Sequence, residues 1–243
     1  MATIDYLKDY YERTASRFCD PSSGPVGRDL VIYPLLNGLH GSLLEYGCGS
    51  GSLLIHLARE DRFPKVFGAD ISVRALERIQ KTWDYISPHQ KDKLCLYQPD
   101  ADRLPLIANE SIDVIISVAT IEHVLNPYIV LEELYRTAKP GAILICSVPN
   151  YGYIKHRLTL LFGNLPRTGT DEPVENWRQS GWDGMHLHTF TKNTFSILLQ
   201  DCGWQPIRWS GWGIRFKWMK NLRQRYPGLL SGEIIAVCKN LEK

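Results

Sequence analysis

Leu43-Leu44-Glu45-Tyr46-Gly47-Cys48-Gly49-Ser50-Gly51 decides how this chain folds. A short apolar run, Ser42–Tyr46, enters three alternating glycines, and the stretch from Ser52 to about Arg59 then reads as a helix. Strand, glycine loop and helix in that order put residues without Cβ where backbone must pass close to a ligand. The helix start presents unpaired N–H groups suited to a carboxylate or phosphate. The spacing is G-x-G-x-G. It departs from the dinucleotide G-x-G-x-x-G, whose third glycine position holds Ser52, and no G-K-[ST] follows to make a P-loop.

Outward from that loop, strand-like runs alternate with helical ones. Lys65–Ala69, Lys93–Tyr97, Ile112–Val118 and Ala142–Val148 read as strands. Between them, Ser72–Tyr85 carries Val73, Leu76, Ile79 and Trp83 on one helical face, and Asn126-Pro127 is a capped helix start. Lys139-Pro140-Gly141 stops that helix, and Ile4, Leu7, Tyr11 and Phe18 recur as a leading helix over roughly 4–18. The alternation predicts an α/β, doubly wound parallel sheet. After Val148 the rhythm breaks up to Met185, with one helix near Ile154–Phe162; a loop that long is usually a lid. A helix at 192–201, a strand near Gln205–Trp209 and a last strand, Glu233–Cys238, bring the strands to seven. The expectation is one domain over 1–243. It comprises an N-terminal helical segment 1–40, a cofactor-binding core 41–150, a cap inserted after strand five at 151–185, and the rest of the core at 186–243.

A chain of 243 residues, 44% hydrophobic and 22% charged, matches a globular protein rather than a disordered or fibrous one. No apolar run approaches the ~20 residues that span a bilayer, and the first ten residues carry no secretory h-region. A cytoplasmic location, with all six cysteines reduced, is expected. The net charge of +2 hides an asymmetry: residues 202–232 hold six cations and no acid, leaving the remainder acidic. Ile214, Trp218 and Leu222 there read as an amphipathic helix. Its stripe packs on the core, or it serves an acidic substrate, a dimer face or shallow membrane contact.

Asp70, 23 positions after Gly47, ends an apolar strand beside the glycine loop, where it can reach a ribose diol or merely cap the next helix. With Asp100-Ala101-Asp102-Arg103-Leu104-Pro105, Ile112-Asp113-Val114-Ile115-Ile116-Ser117, Ile121–Val124 and Ala138–Asn150, the set is complete. The run from Glu45 to Asn150 resembles the class I S-adenosylmethionine-dependent methyltransferases, of the small-molecule kind similar to methionine-biosynthesis-type and ubiquinone-biosynthesis-type proteins. The resemblance implies a Rossmann-like sheet with S-adenosylmethionine as cofactor. It implies that Glu45, Gly47, Cys48 and Gly49 lie against the methionine moiety, closed over by Tyr11. Asp70 would take the ribose hydroxyls, Ile71 the adenine face, Asp100 and the Ala101 N–H the adenine edge, and Ser117 would approach the sulfonium.

Methyl transfer needs alignment, and a hydroxyl acceptor needs a base. The candidates are His123, and His186 and His188 of Met185-His186-Leu187-His188; each is also readable as a structural histidine. The alternating pair would suit a metal, but no third ligand stands near it in sequence, so none is expected. Tyr151, Tyr153 and Trp182, from the cap, are candidates to bind the acceptor. The resulting expectation is O-methylation of a small molecule, with N- or C-methylation, or a cofactor-binding partner protein without transfer, as alternatives. A nicotinamide dehydrogenase is opposed by Ser52. The expected partner is a small-molecule acceptor, with no nucleic acid, since no RNA-binding module is appended, no membrane contact, and a monomer or homodimer.

Overall fold

The computed structural model describes residues 2–15, 19–100, 102–169, 173–213 and 220–240. Phe18, Ala101 and 214–219, which carry Ile214 and Trp218 of the expected basic helix, lie outside them. The strands are β1 (Ser42–Tyr46), β2 (Lys65–Ala69), β3 (Leu94–Tyr97), β4 (Ile112–Val118), β5 (Ala138–Pro149), β6 (Trp204–Trp212) and β7 (Glu233–Asn240). They form one sheet in the order β3-β2-β1-β4-β5-β7-β6. The first five are parallel, and β7 runs antiparallel between β5 and β6. The order reverses beside β1, so the carboxyl ends of β1 and β4 flank a crevice of the kind that takes ligands in such sheets.

The helices are α1 (Ala2–Thr14), α2 (Asp29–Ile32), α3 (Ser52–Ala58), α4 (Val73–Ile86), α5 (Pro127–Thr137), α6 (Ile154–Leu161), α7 (Trp177–Ser180), α8 (Lys192–Asp201), α9 (Lys220–Arg225) and α10 (Pro227–Leu230). Strands as apolar as β4 are buried on both faces, which requires a helical layer on each side. On one side Leu54, Ile79 and Trp83 pack with Leu43, Val66 and Val114. On the other Leu131, Leu134 and Phe195 pack with Leu44, Ile115 and Leu144. Each such side chain contributes roughly 1.5–3 kcal/mol by leaving water. Ser72 caps α4 by accepting from the Ala75 N–H, and Asn126 caps α5 ahead of Pro127.

Two boundaries differ from the pattern reading. The leading helix, expected over roughly 4–18, starts earlier, at Ala2, and runs to Thr14; 16–18 lie outside the described residues. Lys139-Pro140-Gly141 ends α5 but belongs to β5, whose pairing with β4 jumps from Ala138 to Ile143. A bulge of this kind tolerates a proline, which has no N–H for the ladder. At this edge the Asp113 carboxylate accepts from the Ser42 N–H at 2.8 Å and from Lys139 Nζ at 2.7 Å, tying the entry ends of β1, β4 and β5 together. All six cysteines are free thiols. No helix among the described residues is long and apolar enough to cross a membrane.

Candidate active site

The crevice opens into a cavity of about 970 Å³. Its floor is the glycine loop. Gly47, Gly49 and Gly51 all take positive φ, and a Cβ on Gly47 would run into the Thr120 side chain. Glycine is therefore required at 47 on two counts, conformation and close approach. Asp70, at the end of β2, accepts from the Gly49 N–H at 2.8 Å and the Ser72 N–H at 2.9 Å. Burial raises its pKa, and those two N–H groups partly offset the rise. Glu45, one residue from the end of β1, is buried, and its Oε2 has no hydrogen-bond partner among the described residues. Burial, with Asp29 and Asp70 nearby, pushes its carboxyl well above the usual range. Cys48 and Ile71 complete this part of the wall.

The rest of the wall comes from three loops and α1. Asp100 and Asp102 follow β3, and Tyr46 donates to Asp102 Oδ1 at 3.3 Å. Buried Glu133 on α5 fixes this segment by accepting from the Leu104 N–H at 2.7 Å and from Arg136 at 2.8 and 3.0 Å. Arg136 in turn donates to the carbonyls of Leu104 and Ile107. Helix α1 closes the opposite side with Leu7, Lys8 and Tyr11. It is held there by Glu12, whose carboxylate accepts from the Val73 N–H at 2.7 Å, the Arg74 N–H at 3.1 Å and the Ser72 hydroxyl at 3.1 Å. Partial burial opposes ionisation of Glu12, but these donors win and hold its carboxyl below the usual range. The Tyr11 hydroxyl is unpartnered among the described residues, and its ring stands edge-on to His123 with centroids 5.7 Å apart.

The lining carries five aspartates, Asp5, Asp29, Asp70, Asp100 and Asp102, and the buried Glu45, which burial holds toward its neutral form, against two fixed cations, Lys8 and Arg28. Such a wall suits a ligand bearing ammonium and sulfonium charge and opposes a pyrophosphate. The orphaned Glu45 oxygen and the unpartnered Tyr11 hydroxyl fit S-adenosylmethionine on the same grounds.

Among the expected site residues, Tyr11, Glu45, Gly47, Cys48, Gly49, Asp70, Ile71, Asp100 and His123 meet at this cavity. Ser117 does not line it: it is wholly buried on β4. Ala101 is not among the described residues. Tyr151, Tyr153 and Trp182 also stand away from the cavity wall. Tyr151 donates to Asp183 at 3.4 Å, Tyr153 packs edge-on to His156, and exposed Trp182 packs on buried Trp177. His188 turns to the Val124 carbonyl. His186 instead meets His123, with ring centroids 4.7 Å apart, behind the wall. Glu122 lies between the two imidazoles, 3.9 Å from each Nε2, fully buried and with both oxygens unpartnered among the described residues. Burial pushes the Glu122 carboxyl up to about 8 and both histidines down to about 4, the second also through its neighbour His123.

The sequence reading missed Arg28 and Glu233. Arg28 Nη1 lies 3.2 Å from Glu233 Oε2, its guanidinium sits over the Trp212 ring, and Ser147 donates to Glu233 Oε1 at 2.6 Å. The available signal was a lone acid opening the apolar strand Glu233-Ile234-Ile235-Ala236-Val237-Cys238.

Comparison with known proteins agrees with this geometry. The profile of a methyltransferase-domain family matches residues 11–208. The human tRNA N(3)-cytidine methyltransferase METTL6 is 29% identical over 168 residues, 68% of this chain and 56% of its own length. A ubiquinone biosynthesis O-methyltransferase of Ruegeria pomeroyi is 25% identical over 185 residues, 76% of this chain and 67% of its own. The chain thus spans little more than half of the first of these relatives. An S-adenosylmethionine-dependent methyltransferase structure from Mesorhizobium loti superposes with a TM-score of 0.63 at 15% identity, covering 88% of this chain and 98% of that one. With a tRNA enzyme among the relatives, the expected exclusion of nucleic acid finds no support.

Proposed function

The chain belongs to the methyltransferase-domain family, and from that premise we propose that it methylates a hydroxyl group of a small organic acceptor in a biosynthetic reaction. Its donor is S-adenosylmethionine, which supplies an electrophilic methyl group when bound. In this reading the glycine-loop backbone, Glu45 and Tyr11 hold the amino-acid end of the donor. Asp70 holds the ribose, with Ile71 and Asp100 at the adenine. α1 and the 102–109 segment shut water out from two sides. Arg28, steadied by Glu233 and Trp212, offers a cation to an anionic group at the cavity wall.

The observation that supports a hydroxyl acceptor is the Glu122–His123–His186 group, reached from the cavity through His123. A hydroxyl must lose its proton as the O–CH3 bond forms and the S–CH3 bond breaks, and the lone pairs of this group at the cavity wall are positioned to receive it; a neutral amine needs no base before it attacks. The test is incubation with methyl-labelled donor and three acceptor sets: phenols and other alcohols, primary and secondary amines, and transcribed tRNA. Label on the oxygen of a small hydroxyl compound supports the reading, and transfer to amines alone overturns it. Transfer to tRNA alone would establish a second reading, favoured by the METTL6 likeness and by the acid-free stretch 202–232. Donor binding without transfer to any set would favour a partner protein that does not turn over.

A further inference from the structure

We propose that Glu122, His123 and His186 form a binding site for one divalent transition-metal ion of the zinc class, set in the inner wall of the cavity. One ligand atom from each of the three lies within 4.8 Å of the others. The sequence hides this set, because the alternating His186 and His188 diverge while the third and second ligands come from the turn after β4.

Proton accounting makes the case. His123 Nδ1 lies 3.0 Å from the Met185 carbonyl, which can only accept, so Nδ1 carries the hydrogen and Nε2 keeps its lone pair. The Thr168 hydroxyl donates to Asp183 Oδ2 at 2.8 Å, so its one hydrogen is spent. His186 Nδ1, 2.8 Å from the same hydroxyl, must therefore be the donor there, and His186 Nε2 also keeps its lone pair. Both lone pairs face Glu122 Oε1 across 3.9 Å. Two nitrogen lone pairs and a carboxyl group with neither oxygen partnered, all out of water, lack the hydrogen bonds that water would give them, and one cation set among them would satisfy all three.

The surroundings are those of a metal site. Each imidazole is oriented by a hydrogen bond on its far nitrogen, the arrangement that fixes tautomer and ring angle in metal-ligating histidines. The backbone is strained to supply those partners: Asp183 and Met185 hold φ values of 44° and 66° without being glycine. Asp183 is itself locked by the Thr168 and Gly169 N–H groups at 3.0 and 3.1 Å. Two imidazoles and one carboxylate with bonds of ~2.1 Å are a zinc-type donor set, with ligand atoms ~3.4 Å apart in a tetrahedron, so the two 3.9 Å nitrogen–oxygen pairs would close by about half an ångström, and the two nitrogens, within 4.8 Å of each other, would draw in with them. His123 lines the cavity, which leaves a fourth position for a solvent or acceptor oxygen. The site stands on this geometry and not on the identity of the acceptor.

The experiment uses the full chain, stripped with chelator, and titrates Zn²⁺ alone against a chromophoric chelator, with Co²⁺ as a spectroscopic probe. One equivalent of Zn²⁺ should bind, and Co²⁺ should give visible ligand-field bands. Glu122→Gln and His186→Gln should each weaken Zn²⁺ binding ~100-fold or more and abolish the Co²⁺ bands. Thr168→Val, which keeps all three ligands and removes the hydroxyl that orients His186 and donates to Asp183, should weaken binding ~10–100-fold. Circular dichroism checks that each variant folds. If a ligand variant does not, the wild-type spectrum and the Thr168→Val shift decide. Less than a tenth of an equivalent bound, or the same affinity in Thr168→Val and in the folded ligand variants, would overturn the site.

Discussion

Single residues at this site do two jobs at once, and their substitutions should show it. Gly47 combines a left-handed backbone with a close approach to Thr120. Gly47→Ala is expected to cost about 1–2 kcal/mol from the backbone alone, more from the displaced threonine, and to lower the melting temperature in differential scanning calorimetry. A melt matching wild type would remove both arguments. Asp70 holds the Gly49 and Ser72 N–H groups and faces the cavity. Asp70→Asn turns one acceptor into a donor against an N–H. S-adenosylhomocysteine should then bind about 1–3 kcal/mol more weakly by titration calorimetry; unchanged affinity would dismiss its ribose role. Both residues were legible in the sequence because a glycine loop after a strand, and an acid one strand later, mean much the same thing wherever they occur. The Glu122 group was legible only in part: His123 and His186 were candidates, but Glu122 was not, and the meeting of the pair was hidden because His186 follows His123 by 63 residues and only the cap's return path joins them. Arg28 was equally hidden: nothing in its neighbourhood in sequence points to Glu233.

At the scale of elements, two anchors set how firmly the cavity is closed. α1 is pinned to the start of α4 by the Glu12 carboxylate. The pKa of Glu12 is lower docked than free. Its contribution is therefore complete above the ordinary carboxylate value of ~4.3 and fades as pH falls through the depressed value. Hydrogen-exchange protection over residues 2–14, corrected for the intrinsic pH dependence of amide exchange, should fall as the pH drops below ~4. Glu12→Gln should show that lower protection already at neutral pH, with a flatter pH profile; unaltered protection in that variant would release α1 from this anchor. The second anchor, Glu133, joins α5 to the 102–109 segment. Glu133→Gln keeps an acceptor for the Leu104 N–H but loses the charge facing Arg136. It should cost about 1.5–3 kcal/mol and open that segment to limited proteolysis. The strand and helix order was readable throughout the parallel part, since periods of 2 and 3.6 are local signals. In the cap, α6 was legible to within a residue of the expected Ile154–Phe162, but its neighbours were not, because they are held by side-chain bonds such as those of Asp183.

Over the whole molecule, the donor cavity draws its walls from α1, the ends of the first four strands and Trp212 on β6, so ligand binding should be felt as global stability. At a hundred times its dissociation constant, S-adenosylhomocysteine should add ~2.7 kcal/mol, which for a chain of this size raises the melting point by roughly 5–11 °C. A shift confined to partial unfolding of α1 would show that the walls are not one cooperative unit. The sheet order carries a further consequence. β7 slots between β5 and β6, pairing seven residues of the one and eight of the other, although both are synthesised before it. While a ribosome is still making residues 213–240, β5 presents a bare edge and β6 has nothing to join, a state open to mispairing with other nascent chains. The same late strand delivers Glu233 to Arg28, so a chain arrested there would be both sticky at its rim and missing the counterion of its binding cleft, a natural client for chaperones until the final insertion.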